Sequence, residues 1–433
     1  MTKKLMTVFI LLLASLAFFC STGLGEQKKP VLAVRINGVI NPVSSEFISK
    51  SIIRANAMQA EALVIELDTP GGLDTSMRNI VKEIIGSSIP VIVYVSPSGA
   101  RAASAGVFIT LAAHIAAMAP GTNIGAAHPV SMGGKMDATM SEKATNDAAA
   151  YIKSLAERTG RNAVWAEDAV RKSVSATETE ALKEHIVDFV SKDLNTLLKD
   201  VDGRKVTTAA GEKTLNTANA PVTFIEMGLR YKILNLISDP SVAYMLMLLG
   251  FYGIFFELTN PGTIFPGVTG AIFLILAFYS FQTLPVNYAG LLLIILALVL
   301  FVLEIKIVSH GVLTIGGIIS MVIGSLMLFD SPAPFLRLSL LLILPAVIVT
   351  AFFFTATFRL AYRALKRKPV TGGEGLIGTA GKAITDITKD GGKAALHGEI
   401  WSASSDEIIK KGDKIEVVSL SGLQIKVKKK EVV

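Results

Sequence analysis

ALVIELDTPGG, residues 62–72, joins a run that is apolar apart from Glu66 to a glycine-rich turn. A second segment has the same design, because the apolar run 91–95 leads into SGARAASAG at 98–106. Continuous apolar runs are typical of strands buried on both faces in a parallel sheet, and ligands bind such sheets at the carboxyl ends of the strands. Both glycine-rich segments therefore fall where a parallel sheet would carry a functional site.

The surrounding residues predict an α/β domain around these two strand ends. Short β-rich runs alternate with longer helical stretches, at 31–36, 47–59, 62–67, 77–85 and 91–95. This alternation is typical of a largely parallel sheet covered by helices. We predict further helices from about Ser104 to Ala117 and from about Lys143 to Thr159, and short exposed strands and turns over 201–219. We assign residues 30–225 to this domain.

The chain is too apolar to be wholly soluble. Hydrophobic residues make up 51% of its 433 residues, which indicates a membrane protein long enough for two or three domains. Five apolar stretches, each near the ~20 residues that a helix needs to cross a bilayer, follow the α/β domain, at 242–258, 264–281, 288–303, 312–329 and 336–357. We predict a membrane domain over residues 240–358 with about five spans.

The N-terminus predicts export. Residues 1–25 combine the basic Lys3 and Lys4, an apolar core and small residues at the end, as in a secretory signal peptide. A retained signal anchor is the alternative, because no clear A-x-A cleavage motif is present. The basic cluster 359–368 after the last apolar stretch marks the cytoplasmic side. In this multi-pass protein of the cell membrane, an odd number of spans puts the α/β domain outside the cytoplasm and the C-terminal domain inside it.

Residues 370–433 predict a small β-domain. Five β-rich runs separated by glycine-containing turns suggest a five-stranded β-barrel of the OB type, at 376–380, 382–387, 394–401, 414–420 and 424–428. The tail has no interleaved aromatic residues apart from Trp401, and base stacking needs them. We therefore do not predict nucleic-acid binding, and expect a module that docks proteins or faces lipid.

Ser104 is the candidate nucleophile. The small residues of SGARAASAG leave room for a substrate backbone beside it, and a helix that begins there contributes the positive end of its dipole. Close helix packing is the alternative explanation for so many small residues. The first glycine-rich turn can add bare backbone N–H groups that stabilise an oxyanion. Together the two segments predict acyl transfer by a serine nucleophile.

Two residues compete for the role of the base that activates Ser104. Lys143 stands at the predicted start of a helix, and an amine acts as a base only when it is uncharged, which burial and the positive end of a helix favour. His128 follows an ordered turn, and histidine exchanges protons near neutral pH without special help. The residues by themselves leave this choice open.

Three further polar residues lie near the glycine-rich segments. Asp68 ends the first apolar run before a Pro-Gly turn, so we interpret it as a turn cap rather than as a residue that orients the base. His114 follows Ser104 by ten residues on the same predicted helix, and we interpret it as structural. Arg101 could hold a carboxylate or be solvated, and the sequence does not choose between these roles.

Five short motifs are distributed along the chain: DTPGG at 68–72, ASAG at 103–106, APGTNIGA at 119–126, YIKSLA at 151–156 and GEIW at 398–401. Together they resemble the long-form NfeD family, membrane-bound serine proteases akin to Clp protease and signal peptide peptidase A. The resemblance implies an α/β N-terminal domain of the Clp/crotonase type, a multi-span α-helical membrane domain and an OB-like tail.

The same resemblance implies roles for individual residues. Ser104 matches the family's nucleophile and Lys143 matches the lysine of a Ser/Lys dyad. The backbone N–H groups of Gly71, Gly72 and Ala105 would form the oxyanion hole. Because relatives of the Clp type carry a triad histidine near the position of His128, that residue is retained as the alternative base.

We expect a membrane-anchored serine endopeptidase that cleaves hydrophobic segments of membrane-associated proteins. The small apolar residues around the nucleophile favour such substrates, and the resemblance implies stomatin-like partners and a homodimer or larger homo-oligomer. No metal cluster or phosphate-binding loop is apparent in the sequence, so neither a metal nor another cofactor is predicted. A non-catalytic membrane scaffold that uses a Clp-like fold for assembly is the main alternative. A crotonase-like acyl-CoA enzyme is disfavoured, because export would separate it from cytoplasmic CoA.

Overall fold

The structure of the chain is a computed structural model that describes residues 28–130, 137–260, 262–282, 284–307, 309, 311–329, 331, 336–365 and 373–430. The predicted signal peptide at 1–25 lies outside these ranges, as do residues 366–368 of the basic cluster and residues 370–372 of the predicted tail. The chain forms two compact units, Met1–Leu296 with Ile319–Ala346 and Ala297–Ile318 with Val347–Val433.

The N-terminal domain is built on the strands β1 (Val31–Asn37), β2 (Ala62–Asp68), β3 (Val91–Val95), β4 (Arg101–Ala103), β5 (Ile115–Met118), β6 (Asn123–Gly125), β7 (Ser175–Thr177), β8 (Phe189–Val190), β9 (Lys205–Thr208), β10 (Gly211–Thr214) and β11 (Val222–Phe224). Six of them form a parallel sheet in the order β11-β1-β2-β3-β5-β8. A small second sheet has the order β4-β6-β7, and β9 pairs with β10 in a hairpin within 201–219, where short exposed strands and turns are predicted.

Helices cover both faces of the six-stranded sheet. They are α1 (Pro42–Ala57), α2 (Asp74–Ile85), α3 (Ala105–Ala112), α4 (Ala138–Thr159), α5 (Ala163–Arg171), α6 (Glu178–Lys183) and α7 (Leu194–Asp200). Leu63 points into the larger core, which includes Ile80 of α2, whereas the adjacent Val64 points into the core of the other face with Leu197 of α7. Because both faces are largely apolar, the central strands show no regular polar alternation, and the charged pair Arg35 of β1 and Glu66 of β2 lies near their carboxyl ends. The predicted α/β fold with a largely parallel sheet is confirmed.

Local signals fix the ends of the helices that flank the glycine-rich segments. Asn41 caps α1: its side chain accepts the Ser44 N–H at 2.9 Å, while the Ser44 hydroxyl oxygen accepts the Asn41 N–H at 2.9 Å. Asp137 caps α4 by accepting the Met140 N–H at 2.8 Å. Gly160 ends α4 with a φ of 70°, a left-handed conformation that glycine adopts at low cost.

The predicted helix over 104–117 is wrong in its second half. Helix α3 ends at Ala112, and Ile115–Met118 form β5, which lies between β3 and the edge strand β8 of the parallel sheet. The buried Arg161 donates through Nη1 to the carbonyl oxygens of Leu111 and Ala113, both at 2.8 Å. These bonds satisfy carbonyl groups that the end of a helix leaves without partners. Distant residues therefore decide where α3 stops.

His114 lies after α3 rather than on it, and it has the structural role that we expect. Its Nδ1 accepts the backbone N–H of Val91 at 3.1 Å, at the start of β3. Burial, together with the positive charges of Arg158 and Arg161, lowers the pKa of His114 to about 4. The imidazole is therefore neutral in the folded domain at physiological pH.

This depressed pKa predicts acid sensitivity. Since an unfolded chain protonates His114 near its ordinary pKa of 6.5, the unfolded state binds more protons than the folded state between pH 6.5 and about 4. We expect the free energy of unfolding to fall over this window as the pH is lowered, by on the order of 3 kcal/mol at most. The measurement is the apparent Tm of the full chain in detergent from pH 7 to pH 4.

A pair of variants isolates this effect. In His114→Asn, the amide oxygen can accept the Val91 N–H but takes up no proton, so the Tm should depend less steeply on pH. His185→Asn removes an exposed imidazole and should retain the wild-type slope. Equal slopes in wild type and His114→Asn would show that His114 does not contribute to acid sensitivity.

Apolar helices occupy all five stretches in which spans are predicted. After the short α8 (Leu229–Ile237), they are α9 (Pro240–Thr259), α10 (Phe265–Phe281), α11 (Tyr288–Lys306), α12 (Val312–Leu328) and α13 (Leu340–Leu365). By length and composition, two described segments could cross a membrane, Pro240–Thr259 and Leu340–Thr357, and the other three helices are shorter. The number of crossings therefore stays a prediction.

Glycines allow close approach between the first two of these helices. A Cβ on Gly253 of α9 would lie 2.5 Å from the carbonyl oxygen of Pro266, and one on Gly270 of α10 would lie 2.7 Å from that of Gly250. Small residues at such contacts let helix backbones meet directly, which is how helices associate in lipid. Helices α9 and α10 thus form a tight hairpin.

In the second unit, a buried carboxylate caps α12. Glu304 of α11 is 4% exposed and accepts hydrogen bonds from the Ser309 hydroxyl at 2.7 Å and from the N–H groups of Gly311 and Thr314, both at 3.0 Å. The first N–H groups of a helix have no partners inside the helix, and an anion there also meets the positive end of its dipole. Glu304 therefore has a structural role.

The C-terminal strands close into the predicted five-stranded, OB-like barrel, which is confirmed. Helix α14 (Gly373–Leu376) precedes β12 (Ala380–Ala383), β13 (Gly392–Leu396), β14 (Glu399–Ser404), β15 (Lys414–Ser421) and β16 (Gln424–Lys429), and the barrel order is β12-β13-β14-β16-β15. Two predicted boundaries are wrong, because residues 376–387 hold a single strand and the run 394–401 holds parts of two. His397 and Gly398 divide that run with φ values of 51° and 88°, and two left-handed residues are what a tight hairpin turn requires.

Candidate active site

Ser104 stands between β4 and α3 in a strained conformation. Its φ is 52° and its ψ is −113°, outside the regions that non-glycine residues normally adopt. Its N–H donates to the carbonyl of Gly125 at 3.2 Å, and its own carbonyl accepts the N–H of Val107 in the first turn of α3. Such strain persists only where the surroundings enforce it, and it is typical of functional sites. Here it sets the serine at the N-terminal end of α3.

The first glycine-rich turn lies directly against this serine. A Cβ built on Gly71 would be 2.6 Å from Ser104 Cβ and 3.1 Å from Ser104 Oγ, and the φ of Gly71 is 118°. A Cβ on Gly72 would be 2.0 Å from the carbonyl oxygen of Ile40. Only glycine fits at either position, so the structure brings DTPGG and ASAG together as a single site.

The backbone N–H groups of this site differ in their availability. The Gly71 N–H donates to Thr69 Oγ1 at 3.0 Å. The Gly72 N–H has no acceptor among the residues that the structure describes. Ala105 is the first residue of α3, where an N–H has no partner inside the helix. In this conformation Gly72 and Ala105 are the available donors, and Gly71 is engaged.

Helices α3 and α4 run in the same direction. The rings of Phe108 and Tyr151 stack with their centroids 5.9 Å apart. Further along both helices, the hydroxyl of Thr159 donates to the carbonyl of Leu111 at 3.1 Å. From the first contact to the second, the residue number rises on both helices, so the N-terminal ends of α3 and α4 lie on the same side of the domain.

Lys143 lies towards the N-terminal end of α4, eight residues before Tyr151, and its side chain is exposed. One turn further on, Asp147 pairs with Arg78 of α2, which fixes this part of α4 against the domain. The nucleophile of the predicted dyad stands at the N-terminal end of α3 and the lysine near that of α4, and residues 131–136 just before α4 lie outside the described ranges. The prediction that Lys143 activates Ser104 remains a prediction.

His128 lies three residues after Gly125, the residue whose carbonyl accepts the Ser104 N–H. Its Nδ1 is 2.8 Å from the carbonyl oxygen of Val170. Because a carbonyl oxygen only accepts hydrogen bonds, Nδ1 carries the hydrogen in this contact, and Nε2 is then the proton-accepting nitrogen. The ring is half-buried and held in one tautomer, which is compatible with a base as well as with a structural role.

A hydrogen bond between a side chain and the backbone joins Asp68 to Arg101. The Asp68 carboxylate accepts the backbone N–H of Arg101 at 3.1 Å, which ties the end of β2 to the start of β4. The Arg101 side chain is exposed. Asp68 thus has a structural role, but it joins two strand ends and does not cap its own Pro-Gly turn as predicted; inside that turn, Thr69 Oγ1 accepts the Gly71 N–H. No cluster of metal-ligating side chains occurs within the part of the chain that the structure describes.

Profiles of three protein-family domains match successive parts of the chain. "NfeD1b, N-terminal domain" matches residues 30–210, "NfeD integral membrane domain" matches 241–359, and "NfeD-like C-terminal, partner-binding domain" matches 373–429. The membrane-bound protease PH1510 of Pyrococcus horikoshii is 39% identical over 414 residues, which cover 92% of this chain and 93% of that protein. The chain belongs to the NfeD family. The predicted resemblance is therefore confirmed.

Other proteins and solved structures are also similar to this chain. The membrane protein NfeD1b of Bacillus subtilis is 29% identical over 329 residues, 75% of this NfeD chain and 72% of its own length. Among solved structures, a lysine-to-alanine variant of the 1510-N membrane-bound stomatin-specific protease, in complex with a substrate peptide, is 40% identical with a TM-score of 0.46. It covers 49% of this chain and 99% of its own length.

Two residues of this NfeD site are missing from the sequence-based prediction. Thr69 holds the Gly71 N–H, and a threonine two residues before a glycine in a turn is a recognisable local signal. Ile40 pairs with the glycine turn in parallel fashion: its N–H donates to the Gly71 carbonyl and its carbonyl accepts the Leu73 N–H, both at 2.8 Å. No local pattern around Ile40 predicts this contact, because the two segments that it joins are about 30 residues apart in the sequence.

Proposed function

We propose that this NfeD protein is a membrane-anchored serine endopeptidase with Ser104 as nucleophile and Lys143 as base. The observation that carries the proposal is the strained Ser104 at the N-terminal end of α3, packed against Gly71. A serine held in this way beside unpaired backbone N–H groups is the arrangement that acyl transfer requires. The protease name of the P. horikoshii relative supports the same reaction class.

The reaction would proceed by nucleophilic catalysis. Neutral Lys143 takes the proton of the Ser104 hydroxyl as Oγ attacks the carbonyl carbon of the scissile bond. The resulting oxyanion accepts hydrogen bonds from the N–H groups of Gly72 and Ala105, and the Gly71 N–H joins them once it leaves Thr69 Oγ1. The ammonium group then protonates the leaving amine, and water, deprotonated by the same lysine, hydrolyses the acyl-enzyme.

The exposure of Lys143 sets a condition on this mechanism. Because burial favours the uncharged amine that a base requires, a bound peptide or a paired catalytic domain has to cover Lys143 before it can act as a base. A homodimer or larger homo-oligomer, expected from the family resemblance, could supply such a cover. If Lys143 is not the base, Nε2 of His128 is the alternative acceptor of the Ser104 proton.

The substrates would be hydrophobic segments of membrane-associated proteins. Small apolar side chains surround Ser104, and a solved relative is named as a stomatin-specific protease, so stomatin-like proteins are the expected partners. We place the catalytic domain outside the cytoplasm and the C-terminal barrel inside it, with a multi-pass membrane domain between them. The barrel belongs to a family domain described as partner-binding, and a docking role for it is part of the proposal.

A serine-directed covalent probe tests this function. A fluorophosphonate should label the full chain in detergent and should not label Ser104→Ala. Ser98→Ala is the matched control, because Ser98 is an exposed residue six positions earlier in the same glycine-rich segment, and this variant should label normally. Equal labelling of wild type and Ser104→Ala would refute a serine protease at this site and favour a scaffold role for the fold.

A further inference from the structure

Helix α8 carries an exposed apolar stripe, which consists of Leu229, Ile233 and Leu236. Their exposed fractions are 75%, 47% and 59%. Successive residues of a helix are about 100° apart around its axis, so the three side chains lie within about 60° of one another. Arg230 and Lys232 are exposed and flank the stripe on its two sides. An apolar stripe bordered by cations is the pattern of a helix that lies in the plane of a membrane surface.

The opposite side of α8 is attached to the catalytic domain. The ring of Tyr231 lies 5.6 Å from that of Phe47 on α1, and the Tyr231 hydroxyl donates to the carboxylate of Glu46 at 3.2 Å. One turn later, Asn235 accepts a hydrogen bond from the Asn41 side chain at 2.9 Å. These contacts hold α8 with its stripe facing away from the α/β domain.

The end of α8 lies at the edge of the membrane helices. Two residues, Ser238 and Asp239, separate α8 from α9. The hydroxyl of Ser280, near the end of α10, donates to the carbonyl of Ile237, the last residue of α8. Because α9 begins and α10 ends at this edge, the stripe is continuous with the part of the protein that faces lipid.

We propose that α8 lies in the surface of the bilayer, with the apolar stripe among the acyl chains and the two flanking cations at the lipid phosphates. Burial of the stripe and attraction of the cations by anionic lipid both favour this position. The contacts of α8 with α1 then fix the catalytic domain to the membrane surface.

This position has a consequence for the candidate active site. A cavity of about 200 Å³ is lined by Gly72 of the glycine turn and by residues at the end of α8 and the start of α9, including Asn235, Asp239 and Pro240. Of the residues of the candidate site, Gly72 lines this cavity, so the cavity joins the glycine turn to the edge where α8 meets α9. This second half of the inference rests on the proposed function: the site would take peptide segments that lie directly beside a membrane.

Depth measurements with a fluorophore test the position of α8 independently of any proteolysis. An environment-sensitive NBD label is attached to Ile233→Cys in a chain whose one cysteine, Cys20, is replaced by serine, and the protein is reconstituted in vesicles with anionic phospholipid. We expect blue-shifted emission that is quenched by nitroxide-labelled lipids. The control is Val164→Cys on α5, an apolar residue that is 73% exposed, and its label should stay aqueous and unquenched.

Two outcomes of the labelling experiment would overturn the inference. An aqueous label at Ile233 would place α8 in solvent. A blue shift without lipid quenching would show that another protein surface, such as a second copy, covers the stripe.

An activity assay tests the functional half of the inference. The variant Ile233→Glu should slow cleavage of a vesicle-bound substrate while hydrolysis of a soluble peptide is unchanged. An equal loss on both substrates would instead indicate damage to the catalytic domain.

Discussion

Replacing Ser104 or Lys143 by alanine should each lower kcat/KM for an apolar peptide by about four orders of magnitude, to nearly the same residual rate. Single removals from a catalytic unit cost about as much as removal of the whole unit, because nucleophile and base act in the same step. The assay uses the purified full chain in detergent and compares initial rates with the wild type. Similar residual rates would identify Ser104 and Lys143 as one functional pair.

Two further variants make this experiment decisive for the base. Lys143→Arg retains the positive charge but cannot give up its proton, so it should be as inactive as Lys143→Ala if the lysine is a base. His128→Ala should keep activity within a few-fold of wild type. The opposite result, with an inactive His128 variant and active Lys143 variants, would transfer the role of the base to His128. Full activity in all four variants would reject catalysis at this site.

Gly72→Ala should abolish most activity without touching any side chain that takes part in the chemistry. A Cβ there would lie 2.0 Å from the carbonyl oxygen of Ile40 and 2.6 Å from its carbonyl carbon and its nitrogen, so the glycine turn has to move. Displacement of one oxyanion donor costs about 10²- to 10³-fold in kcat. We expect a loss of this size, together with a lower Tm because the Ile40 pairing is broken.

A matched glycine separates this effect from a general cost of losing a glycine. Gly228 precedes α8 with a φ of −60°, and a Cβ there would meet no atom within 4 Å. Gly228→Ala should therefore retain wild-type hydrolysis and a nearly unchanged Tm. Wild-type kcat in Gly72→Ala would show that the turn is not part of the oxyanion hole.

Much of the architecture follows from short-range patterns in the sequence. The runs before DTPGG and SGARAASAG are central strands because segments made almost entirely of apolar residues are buried on both faces of a sheet. The apolar stretches of the membrane region form helices at all five predicted places. Errors occur where distant residues decide, as at the end of α3, where Arg161 binds the last carbonyl groups.

In the barrel, local sequence patterns predict the strands but not all of their boundaries. Its type and its number of strands are predictable from five β-rich runs. The number is right only because two errors cancel: two predicted strands are one strand, and one predicted strand is parts of two. The turn at His397 and Gly398 lies inside an apparently continuous run, because histidine gives no strong turn signal although its φ is 51° here. Turn geometry set by cross-strand pairing, not composition, divides that run.

The sequence alone determined the fold class and the order of the domains, and it pointed to Ser104 as the candidate nucleophile, whereas the choice of Lys143 as base came from the family resemblance. The sequence could do so because apolar periodicity and glycine-rich strand ends are local properties, and strand ends in a parallel sheet meet at one edge by topology. Only the tertiary structure decided which backbone N–H groups are available, since hydrogen bonds such as that from Gly71 to Thr69 depend on atomic positions. It also decided that α8 turns an apolar stripe outward, because exposure is a property of packing and not of any single segment.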